Sequence, residues 1–384
     1  MRILAIETSC DETAIAIIEA EGVAPDVKFS VHADEVLSQI DIHKEYGGVF
    51  PMLAKREHAR ALVPLLQKTL KAADMYKKTS RHVIESPLRD EFQQMLEREP
   101  ELFSAFIDEI PHIDPPDIDA IAVTQGPGLE PALWVGINFA RALSFVWKVP
   151  VIAVNHMEGH LLAALVQKDG EQTILAPVAF PLLGLLVSGG HTELVLMKNW
   201  LDYSIIGETK DDAVGEAFDK VARILGLPYP GGPEISRLGA KGHPKVYPLP
   251  RPMLHSEDYN FSFSGLKTAV LYLVKKLGRL SDEQRNDIAR EFEDACVEVL
   301  ITKTLRAAEE YDVRTIVLGG GVSANTRLRA TLKEKCEEQG GITLYTPSRS
   351  LSTDNALMIA ITAFLHQRVA PIADLRANGN WRLE

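Results

Sequence analysis

Ile3-Leu-Ala-Ile-Glu7, then Thr8-Ser-Cys-Asp-Glu-Thr13, then Ala14-Ile-Ala-Ile-Ile18 reads as two apolar strands joined by a polar tip. The second half of the chain opens in the same way. Leu182-Leu-Gly-Leu-Leu-Val187 runs into Ser188-Gly-Gly-His191 and then Leu194–Met197. The parallel continues downstream. Asp119–Thr124 predicts a strand that leads through Gln125-Gly-Pro-Gly128 into a helix ending near Trp147. Thr315–Leu318 leads through Gly319-Gly-Gly-Val-Ser323 into a helix from about Asn325. Pro150–Val154 and Ile342–Tyr345 are the next strands, followed by helices near His156 and Asp354.

Strands alternating with helices in two matched halves predict an α/β fold of two similar lobes. The expected lobes are 1–155 with about 352–384, and 156–351, with a nucleotide and metal cleft between them. The hairpin-then-crossover order resembles the actin/Hsp70/sugar-kinase superfamily, whose lobes are RNase H-like. A strand, a Gly-rich turn and a helix N-terminus also make a phosphate cradle, and four such tips recur at matched places.

Other properties bound the function. The 384 residues are 46% hydrophobic and 24% charged, as in an ordinary globular protein. No apolar run is long enough to cross a bilayer; the densest, Phe180–Ser188, has the length of a buried strand. The N-terminus enters a strand directly, so no secretory signal is expected. Cys10, Cys296 and Cys336 are scattered with no CxxC pair, which fits a reducing cytoplasm rather than a disulfide framework. The net charge of −12 argues against a nucleic-acid binder that works through its overall charge; an RNA ligand would need a local or shared basic patch.

His156-Met-Glu-Gly-His160 starts a helical stretch. Histidines at i and i+4 share one helix face, roughly 5–6 Å apart at Cβ, which suits one metal ion. Taken alone, the pair is as readily a helix cap and a satisfied core histidine. Asp354 opens the matched helix of the second half, so pseudo-symmetry sets it opposite His156. Two imidazoles and one carboxylate suit iron(II) or a catalytic zinc. A metalloprotease reading fails. In HExxH the base directly follows the first histidine, but here Met157 holds that place and Glu158 lies roughly 200° around the helix.

On these residues the chain resembles the TsaD family, the bacterial tRNA threonylcarbamoyladenosine (t6A) synthases. The matching segments include ETSCDETAIAI, HKEYGGVFPMLAKREH, TQGPGL, NHMEGHLLA, LVSGGHTEL, DDAVGEAFDKVARILGLPYPGGP, FSFSGLKTAV, GGGVSANTRLR and STDNALMIA, in order over nearly the whole chain. The resemblance implies transfer of a threonylcarbamoyl group from threonylcarbamoyl-AMP. The acceptor is the exocyclic amine of the adenosine 3′ of the anticodon, in tRNAs that read codons beginning with A. It implies His156, His160 and Asp354 as ligands of one divalent metal, Fe2+ favoured over Zn2+. It implies Leu186, Val187, Ser188, Gly189, Gly190, Asp219, Gly232 and Asn325 as contacts to the adenylate. Partners are a degenerate TsaB-like paralogue and a TsaE-like small ATPase, with ATP and Mg2+ serving the assembled complex.

Asp11 and Glu12, at the first tip, are candidates to orient the attacking amine; stabilising the turn is the plainer alternative. Two further readings differ in kind. A small-molecule kinase or ATPase of the same superfamily would turn over without tRNA and without the histidines. A non-catalytic scaffold like the paralogue should lack His156, His160 and Asp354, which this chain keeps. Lys55, Arg56, His58 and Arg60, and separately Arg327 and Arg329, are basic clusters that either meet RNA or are solvated helix faces. The chain departs from the family between about Tyr76 and Pro116. There Leu88, Phe92, Met95, Leu96, Leu102, Phe103, Phe106 and Ile107 form the apolar stripe of an acidic helical insert. That stripe must pack on the parent lobe or on a partner.

Overall fold

The computed structural model describes residues 1–79, 86–169 and 172–383. In chain order the first elements are β1 (Arg2–Glu7), β2 (Glu12–Val23), β3 (Asp26–Ser38), α1 (Ile40–Lys44), α2 (Pro51–Ala72), α3 (Ser86–Met95) and α4 (Pro100–Glu109). Then come β4 (Ala120–Gly126), α5 (Glu130–Trp147), β5 (Val151–Asn155), α6 (His156–Ala163), β6 (Val166–Asp169) and β7 (Gln172–Leu175). The second half holds β8 (Leu182–Val187), β9 (Thr192–Asn199), β10 (Asp202–Glu208), α7 (Val214–Ile224), α8 (Gly231–Gly239), α9 (Ser264–Leu277) and α10 (Asp282–Glu310). It ends with β11 (Thr315–Gly319), α11 (Thr326–Gln339), β12 (Thr343–Tyr345), α12 (Arg349–Ser352), α13 (Ala356–His366) and β13 (Val369–Ala370).

These elements form two compact units. The first comprises Met1–Ile42, Val49–Ala176 and Asp354–Arg382; the second comprises His43–Gly48, Pro177–Thr353 and Leu383–Glu384. Among the described residues the first unit has a sheet in the order β13-β5-β4-β1-β2-β3-β7-β6, and the second has β10-β9-β8-β11-β12. Five strands of each repeat one plan. In the first, β1 pairs antiparallel with β2 and parallel with β4, β2 pairs antiparallel with β3, and β4 pairs parallel with β5. In the second, β8 pairs antiparallel with β9 and parallel with β11, β9 pairs antiparallel with β10, and β11 pairs parallel with β12. The duplication read from the sequence is therefore a duplication of sheet topology.

The composition of β1 follows from its place. A central strand covered on both faces must be apolar throughout, and Ile3, Leu4, Ala5 and Ile6 are fully buried. Arg2 and Glu7, at its two ends, are the polar exceptions.

The units divide between Ala176 and Pro177, beyond the expected lobe boundary at 155/156. The cause is pairing: β7 joins β3 and β6 joins β7, so 156–176 extends the first sheet.

The insert packs on its own unit. Phe92 of α3 and Phe106 of α4 are fully buried, with ring centroids 5.2 Å apart. Phe92 meets Phe145 edge-on at 5.6 Å, and Phe106 meets Phe139 at 6.2 Å, both rings being on α5. Aromatic pairs at such separations add to the burial gain. Residues 80–85 of the expected insert lie outside the described residues.

Candidate metal centre and glycine turns

In the first unit β5 runs straight into α6. The Asn155 side chain caps that helix, its Oδ1 accepting from Met157 N at 2.9 Å and Glu158 N at 3.2 Å. Asn355 does the same for α13, accepting from Met358 N at 2.9 Å. Each cap satisfies N–H groups that a helix start leaves open, and beside each cap stands a ligand-type residue, His156 or Asp354. Gly159 lets the two helices close up, since a Cβ there would lie 3.2 Å from Met358 Cγ and 3.3 Å from Ile359 Cδ1.

Both histidines aim the same atom at one oxygen. His160 Nε2 lies 3.0 Å from Asp354 Oδ1, and His156 Nε2 lies 3.4 Å from it. The three ligand atoms fall within 4.8 Å of one another. Behind His156, Glu7 Oε2 accepts from Nδ1 at 3.0 Å, and Ser9 Oγ lies 3.2 Å from that nitrogen. Thr124 Oγ1 also donates to Glu7 Oε2, at 2.6 Å. With Nδ1–H donating to Glu7, Nε2 is the nitrogen left to face a metal, a common carboxylate–histidine–metal arrangement. The donor set therefore fits a divalent ion.

The charges depend on each other. Burial alone would raise Glu7, but the His156 charge and hydrogen bond hold it low. Against desolvation, Asp354 and Glu7 raise His156 well above the usual imidazole value. Asp354 is held well below the usual carboxylate range by His156 and then His160, again against desolvation.

Asp11 and Glu12 sit at the adjoining tip. Asp11 is buried, and its carbonyl accepts from Gln39 N at 2.8 Å. Glu12 Oε1 accepts from Ser38 Oγ at 3.2 Å. Desolvation, the Asp354 charge and Asp11 push the Glu12 carboxyl up to about 10.

The adenylate candidates lie in the second unit, in three groups. Leu186 and Val187 end β8, fully buried. The turn after them is held by Ser188, whose Oγ accepts from His191 N at 3.0 Å and Gly190 N at 3.3 Å. A Cβ on Gly189 or Gly190 would meet nothing within 4 Å. Gly215 and Gly320 pack against this turn: their Cβ atoms would fall 2.5 Å from Ser188 O and 2.4 Å from Val187 O. Asp219 of α7 accepts from Gly231 N at 2.7 Å, beside an open Gly232. Asn325 stands apart. Its Oδ1 caps α11 through Leu328 N at 2.8 Å, and its Nδ2 donates to Glu293 at 2.7 Å and Ser236 at 3.0 Å. Its amide is thus engaged within the protein.

The expected basic clusters are largely spent. Lys55 lies 3.3 Å from Glu99 of the insert, Arg56 3.4 Å from Glu57, and Arg60 3.2 Å from both Glu57 and Glu101. His58 is fully buried against Thr13 and Cys10. Arg327 pairs with Asp294, and Arg329 donates to Ser323 and Ser352. Two residues carry more than the sequence suggested: Glu7, and His366, which binds Glu158 at 2.5 Å. That bond engages Glu158, which the sequence reading had set aside as a base on its helical angle alone. A lone carboxylate ending an apolar strand was the only sign of Glu7.

The family profile "TsaD: tRNA N6-adenosine threonylcarbamoyltransferase" matches residues 30–84 and 96–361. Its gap falls on α3. A protein of Ralstonia pickettii (strain 12J) named tRNA N6-adenosine threonylcarbamoyltransferase is 43% identical over 375 residues, covering 97% of this chain and 93% of that protein. One of the same name from Bacillus subtilis (strain 168) is 42% identical over 361 residues, covering 94% and 89%. Among solved structures, full-length HypF in its phosphate- and nucleotide-bound form aligns with a TM-score of 0.51 at 13% identity, covering 95% of this chain and 46% of that one. The last likeness concerns the fold alone.

Proposed function

The chain belongs to the TsaD family of tRNA N6-adenosine threonylcarbamoyltransferases, and we propose that it moves a threonylcarbamoyl group from threonylcarbamoyl-AMP to the adenosine 3′ of the anticodon. The observation that carries this is the convergence of His156 Nε2 and His160 Nε2 on Asp354 Oδ1, with Glu7 behind. A kinase has no use for that trio, and a degenerate scaffold has no reason to keep it.

In the reaction the N6 amine attacks the carbamoyl carbonyl carbon. A C–N bond forms, the C–O bond to the phosphate breaks, AMP leaves with the electron pair, and the amine loses a proton. The amine is a poor nucleophile because its lone pair is delocalised into the ring, so the electrophile must be activated. A divalent ion held by His156, His160 and Asp354, iron(II) by preference or zinc, supplies Lewis acidity toward a carbonyl or carboxylate. The Ser188–Gly190 turn meets the adenylate phosphate through its backbone, with Leu186, Val187, Asp219, Gly232 and Asn325 as the further contacts. Asp11 and Glu12 orient the amine. The protein acts in the cytoplasm on tRNA, with a TsaB-like paralogue and a TsaE-like ATPase as partners. The described residues contain no helix long and apolar enough to cross a membrane.

The test is a reconstituted transfer reaction. It combines the protein, partner proteins, ATP, threonine, bicarbonate and unmodified tRNA, with nucleosides read by mass spectrometry. Threonylcarbamoyladenosine from the wild type and none from His156→Ala/His160→Ala is expected. No product, from components competent with another family member, overturns the reading.

A further inference from the structure

An acidic protein that acts on tRNA needs a local surface for phosphate, and most candidate cations are already engaged. Lys55, Arg60 and Arg327 face carboxylates, and Arg329 is tied to the backbone of Ser323. The segment from Ser264 to Leu280 is different. It holds Lys267, Lys275, Lys276 and Arg279, with no Asp or Glu, in a chain of net charge −12.

Helix α9 within that segment is amphipathic. Leu266 and Val270 are fully buried, and Leu273, Val274 and Leu277 pack against the same core. Tyr272, Lys275 and Lys276 are exposed, as is Arg279 just beyond the helix. Lys275 and Lys276 are three and four residues from Tyr272, so the three lie along one side of the helix, and Arg279 follows directly after the Gly278 cap. Tyr272 is 66% exposed, high for an aromatic ring, and Lys275 Nζ stands 6.0 Å from its centroid. Lys267 is partly neutralised by Asp212 at 3.8 Å. Among the described residues, Lys275, Lys276 and Arg279 form no ion pair.

From this we infer that the exposed side of α9 docks RNA, with Lys275, Lys276 and Arg279 on backbone phosphates and Tyr272 stacking on an unpaired base. Free cations interleaved with an exposed ring are what single-stranded RNA sites combine. An acidic protein partner would use the cations but has less call for an open aromatic face. The inference rests on the tRNA reading above and names the surface through which it operates.

The experiment measures the affinity of the full-length chain for unmodified tRNA as a function of salt, alone and with its partner proteins. Lys275→Ala/Lys276→Ala/Arg279→Ala should bind about tenfold more weakly, with the salt slope reduced by about two to three, since each lost phosphate contact removes nearly one unit. Tyr272→Ala should lose about tenfold with an unchanged slope, and Tyr272→Phe should restore binding. Lys55→Ala/Arg60→Ala should leave the slope as in wild type. These exposed changes are checked for folding by thermal melting. Wild-type slope and affinity in the triple variant would overturn the surface while leaving the transferase reading intact. So would retained RNA binding with loss of partner-protein association, which would assign the face to an acidic protein. Absence of both tRNA binding and transfer in the wild type would overturn both.

Discussion

The two hairpins that open the repeats share a strand order and differ at their tips. Between β1 and β2, Glu7, Ser9 and Asp11 are buried, and Glu7 is bound to His156. Between β8 and β9, Gly189 and Gly190 face open space on a turn held by one serine. A buried carboxylate is tolerated only when it is paired and hydrogen-bonded, so the first tip is committed to its neighbours. The second leaves open space over its glycines, as an approaching anion needs. One scaffold used twice has become a charge-coupled centre in one unit and an open glycine turn in the other.

The largest effect that would sharpen this contrast is at the metal ligands. His160→Ala or Asp354→Ala should lose stoichiometric metal and slow single-turnover transfer by about a thousandfold, the order expected when several kcal/mol of Lewis-acid stabilisation go. Metal content after dialysis and a quench-flow rate would check it. Full metal content in both variants would break the assignment. Next comes Glu7→Gln, which keeps the volume and one acceptor but removes the charge behind His156. Metal affinity should fall by about 10- to 100-fold, as for other residues that orient a ligand. A titration with cobalt(II) followed by its visible absorption measures this apart from activity, and an unchanged affinity would make Glu7 merely structural.

Much of this was legible because repetition is a property of order. Alternating strands, polar tips and Gly-rich turns survive in the sequence, and they brought His156, His160 and Asp354 to matched helix starts. What stayed hidden depends on distant pairing. Glu7 meets His156 across the sheet, and Glu158 meets His366 between helices that share no local motif. Lys55 and Arg60 looked free until α4 and the turn before it brought Glu101 and Glu99 against them. The unit boundary moved because β7 pairs with β3, a register that short polar strands do not announce. Asn325 has the residue type of a nucleoside contact, yet its amide is taken up by a cap and by Glu293.

The smallest effects separate a glycine of the second tip from one that packs against it. Gly320 has φ of +83°, and a Cβ there would lie 2.4 Å from Val187 O, a backbone atom that cannot rotate away. Gly320→Ala should therefore destabilise the protein by about 1–3 kcal/mol, from an unfavourable left-handed backbone and displacement of the end of β8. Gly189 has neither restriction. Gly189→Ala should stay within about 0.5 kcal/mol of wild type, because its methyl enters open space. Its effect should fall instead on the adenylate, whose phosphate needs that space to approach the turn. Thermal melts of the two variants, each repeated with adenylate added, distinguish the roles. Equal destabilisation would mean that both glycines serve only the turn. A stable Gly189→Ala that loses the shift induced by the adenylate would mark the open tip as the place where the backbone meets the anion.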